Sequence, residues 1–355
     1  MPKPAVLFGG PSPEHDVSIL TGLQVGRVLD DATAVYWSKT GELWEVPSGL
    51  EAEAFVDGVP RKAGQLRLVA GEGLVGRRRP LAVSAVANCC HGGPGEDGTL
   101  QAALDLAGLP YTGPSRAGAA LGMDKLAFGA VMAAAGLPSL PRAALGAAPP
   151  PFPGPYIVKP RFGGSSIGIE VVEDAHTATA LLASSPHLRA GAVVEPFRAG
   201  ASDLNVAVRS WPELQLSAIE RPLRQEGAGP ILAYRDKYVG GEGMASAPRE
   251  LPAALPPDVE RRVRDMAAAV AGLAGVRGVA RVDFLAEGDE VWVNEINTVP
   301  GSLARYLWVE PAVPFGRLVA DLLEEAARSP ATHWTTAGAD GSLLRSAGSI
   351  AGKLA

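Results

Sequence analysis

The chain has 355 residues, 47% of them hydrophobic and 20% charged, and a formal net charge of −6. That length leaves room for two or three domains at roughly 150 residues each, the acidic balance argues against a general electrostatic grip on nucleic acid, and there is no run of about 18 apolar residues to cross a bilayer. Small-molecule chemistry in the cytoplasm is the expectation, since the start, MPKPAVLFGG, lacks the long apolar core of a signal peptide. Cys89 and Cys90 adjoin each other with no Cys/His pattern around them, and are read as reduced core thiols.

In chain order, PAVLFGG reads as a short buried strand ending in a glycine turn. DVSILTGLQVGRVL follows with Val17, Leu20, Leu23 and Val28 near helical period. Strand, glycine turn and helix open a Rossmann-like α/β unit. LAVSAVANCC is another buried strand and GTLQAALDLAGL a helix closed by Gly108, so a first domain is expected over residues 1–112. AALGMDKLAFGAVMAAAGLP reads as one long helix stopped by Gly136 and Pro138. The Pro-rich APPPFPGP then leads to the strand YIVK and the loop PRFGGSSIG, within a middle unit taken as 113–195. AVVEPF and LNVAVRS are strands, DVERRVRDMAAAVAGLAG a helix, and GVARVDFLAEGDEVWVNEIN a strand pair; the third unit is taken as 196–328. Residues 329–355, rich in Ala, Gly, Ser and Thr, are expected to be loosely held.

Two stretches carry chemistry. YIVKPRFGGSSIGIEVVED places glycines and serines between extended segments, offering backbone amides and hydroxyls to a phosphate chain. It is no Walker A loop, because Lys159 precedes the glycines and a β-branched run follows where a helix should begin. A glycine-rich hairpin folding over phosphates fits better, with a plain flexible hairpin as its rival. In the second stretch Arg281, Asp283 and Leu285 share one strand face, and Val291, Val293, Glu295 and Asn297 share one face of the partner strand. A two-residue turn at Gly288 and Asp289 would separate Asp283 from Glu295. A three-residue loop, 288–290, would pair them, and is the prediction. Three oxygen donors on one surface beside a phosphate loop suit Mg²⁺; the alternative is a solvated sheet face.

Taken in order, VLFGGPSPEHDVSI, HGGPGEDGTLQ, YTG with MDK, KPRFGGSSIG, DKY, ARVDF and NEINTVPG resemble the ATP-grasp superfamily, and within it the D-alanine:D-alanine ligase family, over nearly all of residues 4–325. The resemblance implies a Rossmann-like N-terminal domain followed by a two-lobed ATP-grasp fold. It also implies an ATP-dependent ligation of two D-amino acids through an acyl phosphate, for peptidoglycan precursors, by a homodimer that binds neither nucleic acid nor membrane. A related ligase making another dipeptide or amide, in specialised metabolism or resistance, is the alternative.

Carried onto this chain, the resemblance gives ATP the residues Lys125, Lys159, Gly164, Ser166, Glu195, Asp203 and Lys237, the lysines on phosphates and the two acids on adenine or ribose. Asp283, Glu295 and Asn297 would hold one or two Mg²⁺ ions, or Mn²⁺. Glu14 would bind the first substrate's ammonium, His91 and Glu96 would lie on the loop beside it, and Ser165 and Tyr238 would close a lid. Arg281 and the Gly301 amide would hold the oxyanion of the tetrahedral intermediate. The match departs after Gly301. The family normally has a Ser-containing stretch there that binds the second substrate's carboxylate; here SLARYLW offers Ser302, Arg305 or Tyr306.

Overall fold

The computed structural model describes residues 2–146, 148–223, 248–329, 332, 334–350 and 352. The first sheet takes β1 (Lys3–Gly9), β2 (Thr33–Trp37), β3 (Leu43–Val46), β4 (Gly64–Val69), β5 (Gly73–Val75) and β6 (Val83–Asn88) in the order β5-β4-β3-β2-β1-β6. Only β2-β1-β6 is parallel; β3 to β5 extend it as an antiparallel meander. β1 is buried from Ala5 onward, as expected of a strand covered on both faces, and α1 (His15–Arg27) leaves its carboxyl end. Ligand-bearing loops gather at that end of a parallel sheet, and Glu14 and His91 both lie there.

The second sheet is β7 (Ala143–Ala144), β8 (Tyr156–Pro160), β9 (Glu170–Val172) and β10 (Ala192–Pro196), in the order β7-β10-β8-β9. β8 and β9 pair antiparallel, so the glycine loop closes a hairpin, as predicted. The third sheet comprises β11 (Ser202–Arg209), β12 (Gln215–Pro222), β13 (Arg249–Glu250), β14 (Val279–Glu287) and β15 (Glu290–Asn297), in the order β13-β12-β11-β14-β15. α2 (Thr99–Ala107) packs under the first sheet with Leu100 and Leu104.

The single helix read across the stretch 119–138 is two: α3 (Arg116–Met123) and α4 (Lys125–Ala134). Asp124 divides them. It takes an extended conformation, and its carboxylate accepts from the Leu126 and Ala127 amides, capping α4. Arg161 of the glycine hairpin binds the same carboxylate at 2.8 and 2.6 Å. The break therefore places Lys125 at the first turn of a helix that faces the glycine loop. Phe128 and Met132 of α4 meanwhile enter the third sheet's core with Val263, Val270 and Phe284, under α6 (Pro257–Leu273). α5 (Ala175–Ser184) covers the second sheet. Leu318, Val319 and Leu322 of α7 (Phe315–Arg328) join a core with Val6, Phe8, Leu303 and Leu307, tying the first sheet to the segment after Gly301. In the tail, α8 (Ser342–Arg345) buries none of its residues.

Candidate active site

The β14–β15 hairpin pairs Arg281 with Asn297 and Asp283 with Glu295, the pairing predicted, but by another route. The loop is not three residues long. β14 ends at Glu287 and β15 begins at Glu290, leaving the two-residue turn Gly288-Asp289. Phe284 pairs with Val293, and the register shifts by one residue before Asp283 meets Glu295. Asn294 is thus a β-bulge, an extra residue opposed by none. The bulge also corrects the facial grouping: Val291, Val293 and Ile296 turn into the core, while Glu295 and Asn297 emerge on the opposite face beside Asp283. Apolar packing before the bulge and acid chemistry after it are both satisfied.

On this face the carboxylates are balanced by the protein's own cations. Arg281 donates from Nε and Nη2 to the two oxygens of Asp283, each at 2.7 Å, and Asn297 Nδ2 donates to Asp283 Oδ2 at 2.9 Å. Lys125 Nζ lies 2.8 Å from Glu295 Oε2 and donates to Gly163 O at 2.7 Å. Two carboxylates and an amide whose half-turn presents oxygen form a hard-oxygen set, so these residues fit a divalent cation. Among the described residues no group of three His, Cys, Asp or Glu side chains is placed to hold a metal, and Asn297 is the amide oxygen beside the two carboxylates.

Lys159 and Glu195 meet behind the glycine hairpin. Lys159 Nζ donates to Glu195 Oε2 at 2.9 Å and to Asn294 Oδ1 at 3.1 Å. Glu195 is 1% exposed, and its other oxygen lies 2.9 Å from Arg142 Nε as an ion pair out of hydrogen-bond alignment. Burial pushes the Glu195 carboxyl up, but Lys159 and Arg142 outweigh it and hold the pKa below the usual value. Both oxygens of Glu195 therefore face cations, where the resemblance had them on adenine or ribose. Asp203 is half-buried and pairs with Leu285, sharing a face with Asn205, the partner of Asp283.

The other side of the pocket is built largely from the loops that follow β1 and β6. Ser165 and Ser166 adopt φ of 53° and 59°, and Ser165 Oγ donates to Glu14 Oε1, linking the glycine hairpin to the first domain. A side chain on Gly164 would reach 3.0 Å from Glu14 Oε2, so the hairpin backbone approaches that close. His91 is 3% exposed: Nδ1 lies 2.6 Å from Val299 O and Nε2 lies 2.8 Å from Thr21 Oγ1. Burial lowers its pKa to about 4, so the ring is neutral, donating from Nδ1 and accepting from Thr21 at Nε2. Thr21 Oγ1 in turn accepts from the Ser302 amide at 3.0 Å. Glu96 accepts from the amides of Val299 at 2.8 Å and Gly92 at 3.1 Å. Burial, with the nearby Glu14 charge, raises its pKa to about 7.

Glu14, His91, Glu96, Ser165, Arg281, Glu295, Asn297 and Gly301 line one pocket. The segment after Gly301 is a tight turn in which Ser302, Leu303 and Ala304 take φ of 50°, 50° and 52°, the left-handed region that L-residues rarely occupy in succession. This turn carries Ser302, Arg305 and Tyr306, the residues singled out after Gly301. Arg305 is exposed and packs over the Phe315 ring at 5.8 Å, away from that pocket. Tyr306 does not line that pocket either: Arg249 stacks on its ring at 4.8 Å, and burial raises its hydroxyl pKa, with Arg281, Glu220 and Asp283 nearby. Lys237 and Tyr238 lie outside the described residues. The sequence motifs do not single out Arg142, Thr21 or Asn294: Asn294 falls inside NEINTVPG and Thr21 inside the helical DVSILTGLQVGRVL, while Arg142 lies in no motif.

Residues 3–114 match the family model described as D-ala D-ala ligase N-terminus, and residues 150–324 match D-ala D-ala ligase C-terminus. The chain is 32% identical over 351 residues to a D-alanine–D-alanine ligase of Bradyrhizobium sp. (strain ORS 278), covering 91% of this chain and 94% of that protein. It is 33% identical over 338 residues to one of Acidiphilium cryptum, covering 92% and 99%. Among solved structures, VanG D-Ala:D-Ser ligase from Enterococcus faecalis superposes with a TM-score of 0.76 at 24% identity, over 92% of this chain and 99% of that one. The Coxiella burnetii D-alanine-D-alanine ligase does so with 0.76 at 22%, over 97% of each. These likenesses support the ATP-grasp fold.

Proposed function

Because the chain belongs to the D-alanine–D-alanine ligase family, we propose that it joins two D-alanines into a dipeptide at the expense of ATP, supplying peptidoglycan precursor synthesis. The reading rests on the convergence of Glu14, Ser165, Arg281, Glu295, Asn297 and Gly301 on one pocket. We place the reaction in the cytoplasm of the cell and expect a homodimer from the resemblance. No described helix is long and apolar enough to cross a membrane.

The first D-alanine sets its ammonium against Glu14, and its carboxylate attacks the γ-phosphorus of ATP. The new O–P bond forms as the bond to ADP breaks. Lys125 and Lys159 turn from Glu295 and Glu195 toward the phosphates as ATP enters, exchanging protein carboxylates for phosphate oxygens. Asp283, Glu295 and Asn297 would hold Mg²⁺, which when bound spreads phosphate charge so that an anion can approach. The amine of the second D-alanine then attacks the acyl carbon, forming the C–N bond and passing its proton to the departing phosphate. Arg281 and the Gly301 N–H hold the oxyanion, and the C–O bond to phosphate breaks. The protein performs little covalent work, so positioning and electrostatics carry the rate.

One observation favours a second reading, in which the second substrate is another amino acid. Tyr306 and Arg249, rather than a serine, stand beside Arg281. Phosphate release from ATP, measured with D- and L-amino acids singly and in pairs, separates the two. D-alanine alone should give ADP, phosphate and dipeptide; ATP turnover only with a mixed pair would install the second reading, and none with any pair would end both.

A further inference from the structure

Arg142 belongs to no motif, yet it holds three separate parts of the site together. Its side chain is 4% exposed. Nη1 donates to the Lys125 backbone carbonyl at 2.9 Å, Nη2 donates to the backbone carbonyl of the bulge residue Asn294, and Nε pairs with Glu195. A β-bulge leaves its extra residue without a ladder partner, and here neighbouring groups supply one. Pro138 O, four residues before Arg142, accepts from the Val293 amide at 2.8 Å, so the segment after α4 docks along the bulged strand.

The helix beside Arg142 is shaped for it. Gly129 lies in the middle of α4, where glycine is a poor helix former. A Cβ there would come within 2.6 Å of Arg142 Cδ and 3.2 Å of Nε. The missing side chain is the channel through which the arginine reaches Asn294.

We propose that Arg142 is a positioning residue with two linked tasks, a proposal that rests on the nucleotide and metal site put forward above. Its first task is to hold the Asn294 bulge, which puts Glu295 on the face of Asp283. The second concerns charge. Lys159 and Arg142 share Glu195, so when Lys159 turns to a phosphate, Arg142 remains as the buried carboxylate's counter-ion. A buried carboxylate stripped of every cation is strongly disfavoured, and would hold Lys159 back from the nucleotide.

The test uses the full-length protein with a non-hydrolysable ATP analogue, titrated calorimetrically with and without Mg²⁺, and Mn²⁺ binding followed by electron paramagnetic resonance. Arg142→Lys keeps the charge and loses the fork; Arg142→Met loses both; Gly129→Ala leaves Arg142 in place but crowds it. Arg142→Lys and Gly129→Ala should each weaken Mn²⁺ binding in the analogue complex about tenfold. Arg142→Met should additionally weaken the analogue alone about tenfold, while binding of the first amino acid, followed separately, stays within twofold. If wild type binds neither analogue nor Mn²⁺, the functional reading itself fails. If wild type binds both and Gly129→Ala and Arg142→Lys match it, the positioning role is wrong. Equal loss of nucleotide, metal and amino-acid binding in Arg142→Lys would mean general structural damage and would also overturn it.

Discussion

Two regions of the pocket hold their geometry by different chemistry. Beside Glu14, His91, Thr21 and Glu96 bind backbone groups of Val299 and Ser302 through hydrogen bonds, with the imidazole neutral and the Glu96 carboxyl poised near neutral pH. Across the second and third sheets, the pairs Lys125–Glu295, Lys159–Glu195 and Arg281–Asp283 are ionic. A buried ion pair adds little net stability but is costly to break by removing one member. What such pairs do well is exchange: a phosphate or a metal ion can replace one partner at small net change in charge. The first region is a fixed frame for a loop, the second a set of counter-ions waiting for substrate charge.

The strongest way to break that contrast is to remove an exchangeable ion. Asp283→Ala leaves Arg281 buried without its bidentate partner and takes an oxygen from the metal face. Phosphate release should fall on the order of 10²–10³-fold or more, the scale seen when one transition-state-stabilising donor is lost. An Asp283→Ala protein with full turnover would overturn the catalytic assignment. Glu14→Gln should act more narrowly. It removes one charge-assisted contact to an ammonium, worth about 1.5–3 kcal/mol, so the KM for the first amino acid should rise about 10- to 100-fold while the KM for ATP moves little. An equal rise in both constants would place Glu14 outside the amino-acid end.

The fixed frame has a pH signature. Glu96 carries a pKa raised from 4.5 to about 7, so the folded state keeps a proton that the unfolded chain loses at lower pH. Its contribution to stability is complete below 4.5 and lost as pH rises through about 7. Unfolding midpoints should therefore decline across that window more steeply in wild type than in Glu96→Gln. Binding of the first amino acid at Glu14 cancels the neighbouring charge that helps raise the Glu96 pKa, so it should release protons near pH 7, read by calorimetry in buffers of different ionisation enthalpy. Parallel unfolding curves and no proton release would show that Glu96 is an ordinary carboxylate.

The contrast also marks what the sequence could convey. Pocket residues came in contiguous motifs, EHDVSI, HGGPGEDG, GGSSIG and NEINTVPG, because a loop must place several groups on one ligand and so keeps them close in the chain. The parallel strands β1 and β6 announced themselves as buried apolar runs. The four short strands between Thr33 and Val75 carried no motif and little alternation. Facial parity was the subtler difficulty. Counting by twos along VWVNEIN puts Val293 and Glu295 on one side, and only the bulge at Asn294 separates core from chemistry. Long-range partners were not legible: nothing local ties Arg142 to Asn294, 152 residues away, or His91 to Val299, 208 residues away. The long helix failed at Asp124 because an apolar, alanine-rich pattern runs through a residue whose capping bonds form only once the chain bends.

The smallest effects concern the turn after Gly301, where the two candidate residues meet different partners. Tyr306→Phe removes a hydroxyl beside Arg281 at a net value of about 1 kcal/mol, so the KM for the second amino acid should rise about fivefold, with little change in the unfolding midpoint because the ring still packs under Arg249. Arg305→Ala should change no KM by more than about twofold. Its guanidinium lies exposed over Phe315, an arrangement worth roughly 0.5–1 kcal/mol of local stability, and Arg305 does not line the pocket. The left-handed run from Ser302 to Ala304 leads directly into both residues. Should Arg305→Ala raise the second KM more than Tyr306→Phe does, the turn must rearrange when substrate binds, and the specificity of the second site would belong to the bound conformation of the loop.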